Sequence, residues 1–301
     1  MKNDVKQLAI IGPTASGKSD LAIKVALKID AYILSIDSLS IYKEINIVSA
    51  KPSYTKLNAV KHFGIDILNP DEHFSVDIFI SLYREVLQEC ERDAKNLIIV
   101  GGTSFYLKSL LQGLSELPVM SESVREVVRQ KLTDLKSCYT FLQTLDAKYM
   151  QKISSNDSYR IEKTLLIYEA SRMKPTEWFE SHPPKPIIKN LNIFNIDVDR
   201  ETLRERISKR SEKMLTMGLI DEVCTLEQKY SRLPHSMGSI GIVEVLEYLD
   251  AKVSKVEMIK NISTHTAQLA KRQQTFNKTQ FKNITSAHLD KLEDIILQRY
   301  L

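Results

Sequence analysis

The stretch QLAIIGPTASGKSDLAIKVAL, residues 7–27, decides the fold. Gln7 to Ile11 is a short apolar run of the kind a buried strand carries, and from Lys18 to Lys28 the apolar residues Leu21, Ala22, Val25 and Ala26 recur at helical spacing. Between strand and helix lie Gly12, Pro13, Thr14, Ala15, Ser16, Gly17, Lys18 and Ser19, which satisfy G-x-x-x-x-G-K-[ST]. Glycines at those two places let the backbone bend until successive N–H groups point at one anion. The helix that starts there adds its positive end. Lys18 adds a full charge, and Ser19 a hydroxyl suited to Mg²⁺. The eight residues therefore read as a phosphate-gripping P-loop.

Working outward, Tyr32 to Ile36 reads as a second strand that ends at Asp37-Ser38. Val76 to Arg92 has a helical period in Val76, Phe79, Ile80, Tyr83, Val86 and Leu87. Leu97 to Val100 is a third strand, closed by Gly101-Gly102-Thr103. Strands separated by helical crossovers of this length predict a parallel sheet covered by helices. Hydrolysing P-loop proteins place an acid at the end of a neighbouring strand to hold Mg²⁺. The strand ending in Gly-Gly-Thr has none, which leaves Asp37 as the acid near the loop. At a strand's C-terminal edge, Asp37 opens onto the crevice where α/β proteins bind ligands. It can serve there as a general base or metal ligand, or simply cap the turn that follows.

Past Gly113 the texture changes. Ser121 to Arg172 is helical throughout, Pro175, Pro183, Pro184 and Pro186 interrupt, and Leu191 to Val198 returns to strand character before a helical remainder. The expected architecture is α/β: a P-loop NTPase-like parallel sheet core of residues 1–113 and 189–301, flanked by helices, with an all-helical insertion at 114–188. The chain of 301 residues is 43% hydrophobic and carries 42 Lys and Arg against 38 Asp and Glu. A net charge of +4 permits a polyanionic partner without demanding one. Cys90, Cys138 and Cys224 are far apart and form no CxxC pair, which argues against a zinc site or disulfide framework. No apolar stretch nears the roughly 20 residues of a membrane span. The N-terminus runs at once into a strand, leaving no room for a secretory signal, so a cytoplasmic protein without membrane attachment is expected.

Further motifs follow in order. They are SIDSLSIY (35–42), SAKP (49–52), FGIDIL (63–68), VGGTSFYL (100–107), SND-x-x-R (155–160), the spacing Arg206, Arg210, Met214, Gly218, and AKRQ-x-T (270–275). This ordered set resembles the tRNA dimethylallyltransferases, the bacterial tRNA isopentenyltransferase family, over nearly the whole chain. The resemblance implies transfer of a dimethylallyl group from dimethylallyl diphosphate to N6 of adenine 37 in tRNAs reading codons that begin with U. The product would be N6-isopentenyladenosine, with Mg²⁺ as cofactor. In that family the P-loop (Gly12 to Ser19) holds a leaving diphosphate instead of hydrolysing ATP.

Chemically, a departing diphosphate needs neutralising charge, and Lys18, the loop amides, Ser19 with Mg²⁺, and Arg206 or Arg210 are the right types. Asp37 would take the proton of the amine, and the resemblance puts Thr103 at the reaction centre. It also implies tRNA contacts at Asp37, Ser38, Leu39, Ser40 and Thr103, at Arg125, Tyr159, Arg160 and Lys163 in the insertion, and at Lys271 and Arg272. The segment Ser239 to Val243 is a further implied contact. The partner is then a tRNA anticodon stem-loop, and a monomer is expected. Arg206 and Arg210 share a helix face, where Glu201 or Glu205 offers ordinary surface pairing instead. The chain departs from the family pattern at Ser40, Lys163, Leu166, Ile242, Val243, Ala267, Leu269, Phe276 and Asn277, which lie mostly in RNA-facing and packing segments. The alternative function is a P-loop small-molecule kinase that binds ATP and sets Asp37 on Mg²⁺ or a hydroxyl.

Overall fold

A computed structural model describes residues 5–301, in two compact units: Met1–Leu111 with Ile188–Leu301, and Gln112–Ile187. The larger unit begins β1 (Gln7–Ile11), α1 (Lys18–Ile29), β2 (Ala31–Ser35), α2 (Tyr54–Ala59), β3 (His62–Phe63), α3 (Val76–Asp93), β4 (Asn96–Gly101) and α4 (Ser104–Gln112). The smaller unit holds α5 (Glu122–Lys131), α6 (Leu135–Leu145), α7 (Ala147–Met150), α8 (Ser158–Ser171) and α9 (Pro175–Ser181). The larger unit resumes with β5 (Asn192–Ile196), α10 (Arg200–Thr216), α11 (Leu219–Tyr230), α12 (Ile242–Leu249), α13 (Lys255–Gln280), β6 (Ile284–Ala287) and α14 (Leu289–Tyr300).

All six strands pair in parallel, in the order β3-β2-β4-β1-β5-β6. Leu8 to Ile11 are completely buried, because helices cover both faces of a central parallel strand. The chain leaves β1 toward β2 on one side and later returns to β5 on the other. The end of β1 is therefore a topological switch point, where an open sheet leaves a crevice. On one face, α1 and α14 pack Leu21, Val25, Leu292 and Ile296 against Leu8, Ile10, Ile33 and Phe194. α3 lays Phe79, Tyr83, Val86 and Cys90 in the core, and its first turn is capped by Ser75, whose Oγ accepts from Ile78 N.

A second apolar cluster joins Ile41, Ile45 and Val48 to Met214, Leu219, Val223, Ile242 and Ile262. It is a small helical core built above the C-terminal ends of the strands. The smaller unit has its own core, with Val128, Leu142, Met150, Ile161 and Leu165 at its centre.

Two strands escape the sequence pattern. β3 is two residues long, and β6 follows α13 in a region whose reading was wholly helical. Both sit at sheet edges, where half-buried residues leave no continuous apolar run.

Candidate active site

Three strand ends meet at the crevice. β1 feeds the P-loop, β2 feeds Asp37, and β4 feeds Thr103, with Ile36 N donating to Val100 O at 2.8 Å to bring the last two together. The absence of an acid at the end of β4 has a steric cause. A Cβ on Gly101 would lie 2.7 Å from the Ile36 side chain and 2.9 Å from its carbonyl carbon, and one on Gly102 would lie 2.4 Å from Gln273 Nε2. Gly101 thus has no room for a side chain, and one on Gly102 would have to displace the Gln273 amide.

The loop turns through a Ser16 N to Pro13 O bond of 3.3 Å, and Ala15 and Gly17 both take positive φ, 62° and 91°. Gly17 is the first-turn cap of α1, and a Cβ there would lie 2.8 Å from the Leu289 side chain. Lys18 Nζ donates to Pro13 O at 3.1 Å. Burial pushes the Lys18 ammonium down to about 8; Asp37 opposes that fall, and Arg210 adds to it. Ser16 Oγ is buried and has no partner among the described residues.

The carboxylate of Asp37 does cap the following turn, since Oδ1 accepts from Leu39 N at 2.9 Å and Ser40 N at 3.3 Å. It also lines a cavity, and no ion-pair partner lies within 4 Å of it among the described residues. The two readings of Asp37 are thus compatible, one oxygen holding the turn while the group faces the crevice. Thr103 Oγ1 accepts from Ser38 N and donates to Ser38 Oγ, both at 3.3 Å, which ties the β4 and β2 loops.

The cavity has a volume of about 300 Å³. Its polar lining includes Thr14, Asp37, Thr103, Arg210 and Gln273, and its apolar lining includes Leu39, Val48, Ile207, Met214, Ile262 and Leu269. Arg210 Nη1 donates to Thr14 Oγ1 at 3.1 Å, and Gln273 Oε1 accepts from Thr14 N at 2.8 Å, so the polar groups gather at the P-loop. Val48, Met214 and Ile262 belong to the helical core above the strands and supply the greasy part. Burial also lowers Arg210 from its ordinary value, opposed by Asp37. Arg210 and Asp37 therefore line the cavity together, and Lys18 lies near enough for both charges to act on it.

Not every sequence candidate is here. Arg206 is exposed and does not line the cavity: one helical turn is a rise of about 5.4 Å, enough to separate it from Thr14. Ser40 does not line the cavity: its side chain is 5% exposed, its amide donates to Asp37 and its carbonyl accepts from Asp66 N. Ser38 and Leu39 do line the cavity. Ser19 is exposed in the first turn of α1, beside the loop. Lys271 lines a different groove of about 530 Å³, together with Arg200 and Arg204, and Arg272 is exposed nearby on α13.

In the smaller unit, Arg125, Tyr159 and Arg160 are exposed and Lys163 is half-buried. Lys163 Nζ lies 5.4 Å from the Tyr159 ring centroid, a cation–π distance. Arg160 pairs with Asp157 at 3.4 Å. Arg129 pairs with Glu126 and Lys131 with buried Glu169, as surface and structural charges do.

Two residues to which the sequence reading assigns no role are central. Gln273 is one. Glu222 is the other: its carboxylate accepts from the amides of Asn46, Ile47 and Val48 at 2.8–3.0 Å, fixing the loop that brings Val48 and Ser49 to the cavity. Glu222 opens α11, a position where acids are common, so its spacing alone carried no sign of that role.

The donor set also bears on Mg²⁺. No group of three or more His, Cys, Asp or Glu among the described residues gathers to cage an ion. Mg²⁺ commonly keeps waters and binds through one or two carboxylates plus substrate phosphates. The residue types at hand for an ion of that kind are the Ser19 hydroxyl beside the loop and the Asp37 carboxylate at the cavity.

A family model for IPP transferase matches residues 40–280. The chain belongs to the IPP transferase family. Among relatives in the IPP transferase family, it is 68% identical to the tRNA dimethylallyltransferase of Sulfurimonas denitrificans over 97% of this chain and 98% of that protein. It is 54% identical to the tRNA dimethylallyltransferase of Sulfurovum sp. over 99% of each. The crystal structure of a tRNA isopentenylpyrophosphate transferase from Staphylococcus epidermidis superposes with a TM-score of 0.70 at 28% identity, covering 98% of both chains.

Proposed function

We propose that this chain transfers a dimethylallyl group from dimethylallyl diphosphate to N6 of adenine 37 in tRNA. The observation that carries the reading is a single cavity joining the P-loop, Asp37 and an apolar wall. The donor molecule has the same two-part character: an anionic head and a short branched hydrocarbon. The head suits Lys18, Arg210 and the N–H groups of Gly17, Lys18 and Ser19 at the start of α1, and the tail suits Val48, Met214 and Ile262.

In the reaction the C1–O bond to diphosphate breaks and an N6–C1 bond forms. Negative charge gathers on the departing diphosphate, where Lys18 and Arg210 stabilise it in a site with little water. The adenine amine is a weak nucleophile because its lone pair is delocalised into the ring. Asp37 accepts the N6 proton, a contribution of typically ~10²–10⁴-fold for a general base. Thr103 positions the acceptor beside Asp37 through its link to Ser38. Mg²⁺ bound with the diphosphate would be held by Ser19 and would add neutralising charge to the leaving group.

The adenine must leave its stack to enter the cavity, which costs a few kcal/mol for a loop base. Arg125, Tyr159, Arg160 and Lys163 offer charge and a stacking face to an anticodon loop, as single-stranded RNA recognition requires. The groove of Arg200, Arg204 and Lys271 suits backbone phosphates. We infer that it works as a monomer, and a tRNA substrate makes the cytoplasm its working place. No specific observation favours the ATP-dependent kinase.

The test is direct. Purified protein is incubated with labelled dimethylallyl diphosphate and unmodified tRNA, and the RNA is digested. A prenylated adenosine is expected, and consumption of ATP without a prenylated product would reject the reading.

A further inference from the structure

Gln273 stands at the meeting point of three elements. It is carried by α13, its Oε1 accepts from Thr14 N in the P-loop at 2.8 Å, and its Nε2 lies against Gly102 at the end of β4. It is half-buried and lines the cavity with Asp37 and Arg210.

The orientation of the amide is fixed by chemistry. A backbone N–H is a donor only, so the group facing Thr14 must be the carbonyl oxygen, and a flipped amide would set donor against donor. The NH₂ group, with two donors, is then turned to the other side. Nε2 has no acceptor among the described residues, and it packs where a side chain on residue 102 would stand. A donor pair is thus held ready at the edge of a phosphate cradle, beside the Arg210 guanidinium that bonds the same Thr14.

We propose that Gln273 is a further substrate-binding residue, whose Nε2 donates to an oxygen of the leaving diphosphate. The assignment rests on the prenyl-transfer reading above. Gln273 adds a neutral, rigidly aimed donor to the charges of Lys18 and Arg210. Its Oε1 holds Thr14 still, so the loop and the amide are set as a unit before substrate arrives.

Binding of inorganic pyrophosphate, followed by calorimetry, tests this. Gln273→Glu keeps an oxygen for Thr14 N but replaces the donor by an anion; it should weaken pyrophosphate at least roughly 30-fold, since it removes a bond to a charged group and adds repulsion. Gln273→Met should weaken it roughly tenfold. The KM for tRNA should stay within about twofold in both. In the wild-type protein, the Gln273 side-chain amide protons should shift in NMR spectra when pyrophosphate is added. If Gln273→Glu binds pyrophosphate like wild type, or if those protons do not move, Gln273 is only a tether through Oε1 and the assignment falls. If wild-type protein does not bind pyrophosphate at all, the cradle reading falls with it.

Discussion

Asp37 holds a turn with Oδ1 and faces the cavity, so replacing it by alanine confounds two effects. Asp37→Asn separates them. The amide oxygen still accepts from Leu39 N, but the group no longer takes up a proton. Turnover is expected to fall at least tenfold while the thermal midpoint moves little, as single-turnover rates and melting curves would record. A near-normal rate would remove Asp37 from the role of base. Lys18 offers a test with a pH axis. Burial brings its ammonium down to about 8 in the free protein, whereas diphosphate favours the charged form. Pyrophosphate affinity should therefore fall as pH rises from about 7 to 9, with proton uptake on binding above pH 8. Calorimetry in buffers of different ionisation enthalpy measures that uptake. Lys18→Ala should abolish the uptake, raise KM for the prenyl diphosphate and spare tRNA binding.

At the scale of elements, the loop of residues 46–48 hangs on Glu222 of α11. Hydrogen bonds to a charged group contribute about 1.5–3 kcal/mol each, and three amides lose their acceptor together in Glu222→Ala. Urea titration should find that variant less stable by about 2–4 kcal/mol, less than the three bonds summed, because the exposed Asn46 amide and half-buried Ile47 amide regain water. Because Val48 lines the cavity, KM for dimethylallyl diphosphate should rise as well. Elements also mark where sequence reading succeeds and stops. β1, β2 and β4 were legible because burial on both faces demands an apolar run; β6 was not, since ITSA is half-buried at an edge and its partner β5 is far away in sequence. The P-loop was legible because backbone geometry fixes its residue types. Arg210 and Arg206 were indistinguishable from spacing, and only the packing of α10 against α13 decides which one reaches Thr14. Gln273 stands in the AKRQ-x-T motif without a role for the same reason: a polar residue on a long helix shows its purpose only when the tertiary partner is known.

For the whole molecule, the prediction concerns the division of labour between the two units. If the helical unit meets the anticodon loop, Arg125→Ala with Lys163→Ala should raise KM for tRNA and leave pyrophosphate binding unchanged. Each lost phosphate contact should also flatten the dependence of tRNA affinity on salt by about 1 in log–log slope. Filter binding across a salt series checks both; an unaltered slope would place the contacts elsewhere.

The wedge of Leu289 beneath Gly17 has a consequence for biosynthesis. The glycine loop is made early, but β6 and α14, which complete the sheet edge and buttress the start of α1, emerge from the ribosome long afterwards. A nascent chain still held at the peptidyl-transferase centre has no finished cradle. Competence to grip a diphosphate would then begin only after β6 and α14 have been made and have folded back onto the start of α1.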